Sequence, residues 1–179
     1  SGTGKTTLAR IVAREMDANF IEINASTTGT KELKEIIEKA KDKFFGLQKE
    51  TTYVYVDEFH RWNKLQQDSL LKALEEGVLH FIGSTTENPY FAIFNAILSR
   101  STIFEFKPLQ PSDIREGITK AVNRYNRENS ENIILTEKAA DVLAFGCGGD
   151  MRKAFNALEL LIAAAGFAEG EKVIDEIMA

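Results

Sequence analysis

The sequence predicts a three-layer α/β domain followed by an all-helical module, and three observations carry that prediction. Short β-rich runs alternate with helical periodicities from Lys5 to Phe106. The run TTYVYVDE, Thr51 to Glu58, has the composition of a buried strand in a parallel sheet, and it ends in two carboxylates. After Pro108 and Pro111 only helical patterns appear. The expected division is 1–108 for the α/β core and 109–179 for the helical module.

Each element follows from its own residues. Leu8, Ile11, Val12 and Met16 recur at helical spacing, so a helix starts directly after the opening glycines with these four as its apolar stripe. Phe20 to Ile23 reads as a short strand. Thr30 is suited to cap a second helix whose stripe is Leu33, Ile36, Ile37, Ala40 and Phe44, closed by Gly46. Beyond the Thr51 run, a helix from about Lys64 to Glu76 turns Leu70, Leu71 and Leu74 inward and ends at Gly77. A strand from Val78 to Gly83 leads into the polar turn STTENP. A short helical piece ends at Ser99 and Arg100, and TIFEF, Thr102 to Phe106, is expected to be the last strand. In the second module, Ile114, Ile118, Val122 and Tyr125 form one stripe. Ala139, Ala140 and Leu143 follow a Thr136 cap, and Met151, Phe155, Leu158 and Ile162 follow an Asp150 cap.

Composition sets the outer bounds. A chain of 179 residues, 44% hydrophobic and 27% charged, suffices for one core and a small second one. No apolar run approaches the roughly 18 to 20 residues of a membrane span and no signal peptide is visible, so a cytoplasmic location without a membrane partner is expected. Cys147 is the only cysteine, which excludes an internal disulfide and suits a small buried hydrophobe. The net charge of −5 argues against a surface adapted as a whole to coat nucleic acid. Lys31, Lys34, Lys39, Lys41 and Lys43 alternate with Glu32, Glu35, Glu38 and Asp42, as on a solvated helix face. Arg61 and Lys64 are either such a face or a local contact to a DNA backbone.

Two motifs carry chemistry. The opening SGTGKTT fits the end of the phosphate-loop pattern G-x-x-x-x-G-K-[ST], with Gly4, Lys5 and Thr6 in the last three places. Ser1, Gly2, Thr3, Gly4, Lys5, Thr6 and Thr7 would then form the nucleotide-binding stretch. Backbone N–H groups at the start of the following helix suit phosphate, Lys5 would reach the β- and γ-phosphates, and Thr6 would ligate magnesium. About fifty residues later, Asp57 and Glu58 end the buried strand, where ligands bind in open α/β sheets. Asp57 is suited to hold magnesium, and Glu58 to polarise a water for attack on the γ-phosphate. The cofactors implied are ATP and Mg2+. His60 is expected to pack or hydrogen-bond at a helix start, since phosphoryl transfer here needs no further base.

SGTGKTT, VDEFHRWNKLQQDSLL, FIGSTTENPYF, ILSR and GGDMRKAFNALE together resemble the AAA+ ATPases of the clamp-loader clade. More narrowly they are similar to the bacterial family of replication-associated recombination protein A, which has a eukaryotic relative in the Werner-helicase-interacting ATPase. The resemblance implies a P-loop AAA+ core with a helical lid. It implies that Thr86, or its neighbour Thr85, is the sensor 1 residue near the attacking water or γ-phosphate. Arg100 matches the arginine finger that enters a neighbouring subunit's site, and Arg152 matches the sensor 2 residue that ties the lid to the nucleotide. Asn24 either restrains Glu58 or caps its strand. The activity implied is an ATP-driven motor of replication-linked recombination and repair, remodelling DNA or replication proteins at stalled forks. A RuvB-like or clamp-loader motor and a non-hydrolytic ATP-dependent scaffold are the alternatives. Implied partners are DNA forks, single-strand/duplex junctions or ends, further copies of the chain, single-strand DNA-binding protein and replication proteins, with a nucleoid-associated cytoplasmic location.

Relative to that family, whose sheet order is 5-1-4-3-2, the central first strand, the first two loop residues and the C-terminal oligomerisation region have no counterpart. The segment is therefore expected to be part of a longer protein, and alone to bind ATP weakly and hydrolyse little.

Overall fold

The computed structural model describes residues 2–47, 49–165 and 172–178. They divide into two units, Gly4–Glu105 and Phe106 onward, the latter also taking in Gly2 and Thr3.

The first unit is built on a parallel sheet of order β1-β2-β3, formed by β1 (Asn19–Asn24), β2 (Thr52–Asp57) and β3 (His80–Gly83). Asn24 pairs with Asp57 and Val56 with Gly83. The carboxyl ends of the strands are thus brought level. Alternation along β2 sends Val54 and Val56 to one face and Tyr53, Tyr55 and Asp57 to the other. On the valine face, α2 (Thr30–Phe45) and α3 (Lys64–Glu75) contribute Leu33, Ile37, Ala40, Leu70 and Ala73 to one buried cluster that also contains Phe59 and Trp62. Against the tyrosine face lies α1 (Lys5–Glu15), in contact with β1 and β2. Short helices α4 (Pro89–Ala92) and α5 (Asn95–Leu98) follow β3.

Local chemistry explains the helix ends. Asn63 accepts from Gln66 N and Gln66 Oε1 accepts from Asn63 N, a reciprocal capping box that starts α3. Gln66 Nε2 also donates to Thr28 O, so the cap is tied to the loop after β1. Thr30 opens α2 but does not cap it; Gly29 takes that place without a side-chain bond.

Besides the Thr30 cap, the structure differs from the sequence-based expectation at two further places in this unit. The expected α1 stripe faces outward: Leu8, Ile11, Val12 and Met16 are 37–61% exposed, while Ala9 and Ala13 are buried. Small residues let α1 approach a sheet face that carries the large rings of Phe20 and Tyr55, which stack 6.3 Å apart. Thr102–Phe106 forms no strand. A strand exists only through its ladder, and no described strand supplies a partner for this segment.

The second unit packs α6 (Pro111–Asn129), α7 (Glu137–Gly146) and α8 (Met151–Ala164) around Ile114, Ile118, Val122, Ala139, Leu143, Leu158 and Ile162. Thr136 accepts from Ala139 N, and Asp150 Oδ1 from Arg152 N and Lys153 N, as the two expected caps. Cys147 belongs to the same cluster, and burial pushes its thiol upward. The unit is not purely helical. Ile133–Leu135 (β4) and Lys172–Ile174 (β5) form a short parallel ladder. Three-residue runs are too short to show a period, so only the pairing reveals them.

No helix among the described residues is long and apolar enough to cross a membrane. The lysines of α2 lie among carboxylates as expected: Lys41 pairs with Glu38 and Glu76, and Lys43 with Glu50.

Candidate active site

The candidate site of the first unit lies where α1 begins and β2 and β3 end. Gly4, with φ of 93°, turns the chain in the left-handed region that favours glycine, and α1 starts at the next residue. No side chain caps α1, so its first amide N–H groups remain available to an anion. Lys5 sits in that first turn and forms no ion pair among the described residues.

Thr6 is the next residue, and its hydroxyl lies 2.9 Å from the Tyr55 hydroxyl. Tyr55 is 1% exposed, and its hydroxyl donates within 2.9 Å of Ser84 Oγ and 3.2 Å of Asp57 Oδ1. Ser84 Oγ in turn donates to Asp57 Oδ1 at 2.5 Å. Burial is the main reason that Tyr55 is pushed to a higher pKa than an ordinary phenol, and the bonds to Ser84 and Thr6 act against it. Neither Tyr55 nor Ser84 is singled out by the motifs, yet both stand between Thr6 and Asp57. Their signal in the sequence was a tyrosine two places before the strand-end Asp57 and a serine just past the end of the next strand.

Glu58 follows Asp57 in a left-handed conformation, φ 54° and ψ 41°, which breaks the strand and starts the short turn Phe59–Arg61. The break is pinned because Phe59 N donates to Ser84 O at 2.8 Å. Around the Glu58 carboxylate, Thr86 Oγ1 lies 3.5 Å from Oε2 and His60 Nε2 also 3.5 Å from it. The His60 side chain is 5% exposed, with Nδ1 2.9 Å from Thr85 Oγ1 and Nε2 3.5 Å from Glu87. Of the two threonines, Thr86 faces Glu58 and Thr85 faces His60. Asn24 Oδ1 accepts from Ser26 N at 2.8 Å, closing the turn after β1.

Arg100 pairs with Glu75 at 2.9 Å and donates to Ala96 O, with both partners of the ion pair about half exposed. Gly2, Thr3 and Arg152 belong to the second unit. There Gly2 O accepts from Met151 N at 3.1 Å, and a Cβ on Gly2, whose φ is 60°, would come within 1.7 Å of Asp150 Oδ1. Only glycine fits that place. Thr3 Oγ1 is buried without a partner, beside a recess lined by Pro108, Gly149 and Lys153. Arg152 is exposed, Thr7 is exposed in the first turn of α1, and Ser1 lies outside the described residues.

A parallel α/β unit with an uncapped, lysine-bearing helix start set beside strand-end carboxylates defines the class: a nucleotide-handling α/β protein. Residues 1–109 match the model of the AAA family, ATPase family associated with various cellular activities, and the chain belongs to that family. It is 43% identical over 178 residues to replication-associated recombination protein A of Haemophilus influenzae, covering 99% of this chain and 40% of that protein. The corresponding Escherichia coli K12 protein is 40% identical over 161 residues, 89% of this chain and 36% of its own. ATPase WRNIP1 of Dictyostelium discoideum is 40% identical over 164 residues, 91% of this chain and 18% of that protein. The chain thus spans about 40% or less of the length of these relatives.

Proposed function

We propose that this chain is the ATPase core and lid of a motor that couples ATP hydrolysis to the remodelling of DNA or replication proteins at stalled forks. The observation that carries the proposal is the juxtaposition at the ends of β2 and β3. Asp57 is linked to Thr6 of the helix start, and Glu58 has Thr86 within 3.5 Å. The relatives' names, which speak of replication-associated recombination, supply the biological setting.

The donor set fits magnesium and ATP. Thr6 and Asp57 offer hard oxygens, of the kind Mg2+ takes in small number when phosphates complete its shell. The Lys5 ammonium and the first amides of α1 are suited to phosphate oxygens. Bound magnesium would offset charge on the β- and γ-phosphates. In this reading Glu58 accepts a proton from the attacking water and Thr86 orients that water. Its proximity to Glu58 supports Thr86 over Thr85 in that role. Arg152 contacts the nucleotide of its own subunit, and Arg100 that of a neighbour, within an oligomer of the complete protein.

The test compares the complete protein with its Glu58→Gln variant, at one fixed salt concentration, on forked, single-stranded and blunt duplex DNA. A motor shows DNA-stimulated turnover in the wild type, while the variant binds ATP and stalls. Function retained without turnover would overturn the motor in favour of a scaffold.

A further inference from the structure

Three hydroxyls connect the helix start to the strand-end carboxylate, and their protons can be assigned by counting. A carboxylate only accepts, so the Ser84 proton goes to Asp57 Oδ1, 2.5 Å away. Ser84 Oγ then has only lone pairs to offer Tyr55 at 2.9 Å, and Asp57 Oδ1, at 3.2 Å, offers nothing else. Whichever of the two it chooses, the single Tyr55 proton is spent on that side. The Tyr55 oxygen must therefore accept from Thr6 at 2.9 Å. A Tyr55 proton turned towards Thr6 would leave two oxygen lone pairs facing each other inside a buried site, at a large desolvation cost.

We propose that Tyr55 and Ser84 are positioning residues that run a one-way hydrogen-bond relay from Thr6 to Asp57, setting both oxygens to bind a divalent cation. With its proton committed to Tyr55, Thr6 Oγ1 turns only lone pairs outward. With Oδ1 held by Ser84, the Asp57 carboxylate is fixed in rotation and presents Oδ2. The relay also ties Thr6, in the first turn of α1, to the strand before any ligand arrives, so that less ordering remains to be done on binding. This inference rests on the assignment of Thr6 and Asp57 as the magnesium-holding pair.

The relay is removed without loss of the ring or the backbone by Tyr55→Phe and Ser84→Ala in the complete protein. The measurement is equilibrium binding of a fluorescent ATP analogue, titrated with Mg2+ and repeated in EDTA, with the unfolding temperature of the nucleotide-free protein recorded alongside. Loss of such an outer partner typically weakens metal binding about 10- to 100-fold, so half-maximal Mg2+ should rise by about tenfold in Tyr55→Phe. Binding in EDTA should stay within about twofold of the wild type. Ser84→Ala should shift the Mg2+ midpoint in the same direction. Lys5→Ala and Thr6→Ala serve as references. If both of these lose Mg2+-dependent binding while Tyr55→Phe and Ser84→Ala keep the wild-type midpoint, the relay is refuted and the magnesium pair stands. A wild type without Mg2+-dependent binding, or one matched by Thr6→Ala, overturns the pair and the relay with it. Equal weakening with and without Mg2+, accompanied by a lowered unfolding temperature, reduces Tyr55 to a packing role and also refutes the relay.

Discussion

Arg100 is held by an exposed ion pair with Glu75 at 2.9 Å, with the two side chains 48% and 49% exposed. Such pairs contribute about 0 to 1 kcal/mol, so the guanidinium is restrained in register but can be released cheaply to another anion. If Arg100 is an arginine finger, Arg100→Ala should lower turnover of the assembled protein by about 10³-fold or more while nucleotide affinity stays within a few-fold. Steady-state ATPase rates and a binding titration on the same preparation check this. Glu75→Gln, which frees the guanidinium, should leave turnover at least at the wild-type level. At this scale the sequence marks Lys5, Thr6, Asp57 and Glu58 as candidates because phosphate and metal chemistry restricts residue type and order. Tyr55 and Ser84 are not so marked, because their place in the relay depends on the start of α1, β2 and the end of β3 meeting at one point.

Among the elements, α3 is the most explicitly specified. Asn63 and Gln66 close the capping box, and Gln66 carries a second bond to Thr28 O. Asn63→Ala should destabilise the chain by about 1 kcal/mol, seen as a lower urea midpoint with unchanged slope. A larger loss, or a changed slope, would mean that the cap organises more than one helix end. Element α1 shows the limit of periodicity. Leu8, Ile11, Val12 and Met16 have helical spacing, and the helix is there, but Ala9 and Ala13 form the buried face. Spacing establishes that a helix exists; the bulk of the opposing surface decides which of its faces goes down. TIFEF makes the same point for strands, since alternation without a partner makes no ladder.

Over the whole molecule, folding and site chemistry share one buried group. Tyr55 has its pKa raised by burial, so the folded state favours the protonated phenol. A raised folded pKa gives stability that is fully present below the unfolded value of about 10 and is lost as the pH climbs through the folded value. Urea midpoints of the wild type should therefore fall more steeply above about pH 10 than those of Tyr55→Phe. Parallel curves would show that the phenol ionises as readily in the fold as in the unfolded chain. The two units carry separate cores, one around Val54 and Leu70 and one around Ile118 and Leu158, which is why an abrupt change of pattern after Pro108 could be seen in the sequence.

The sequence by itself determined the αβ alternation, the three helices of the second module, the capping residues Thr136 and Asp150, and the order of the candidate phosphate, magnesium and water residues. These depend on neighbours within a few positions, or on chemistry that only certain side chains can perform. Only the tertiary structure decided which face of α1 is buried, that β4 and β5 pair, that Thr86 rather than Thr85 meets Glu58, and that Tyr55 and Ser84 join Thr6 to Asp57. Each of those facts is a contact between residues far apart in the chain, and such contacts exist only once the strands have fixed their register.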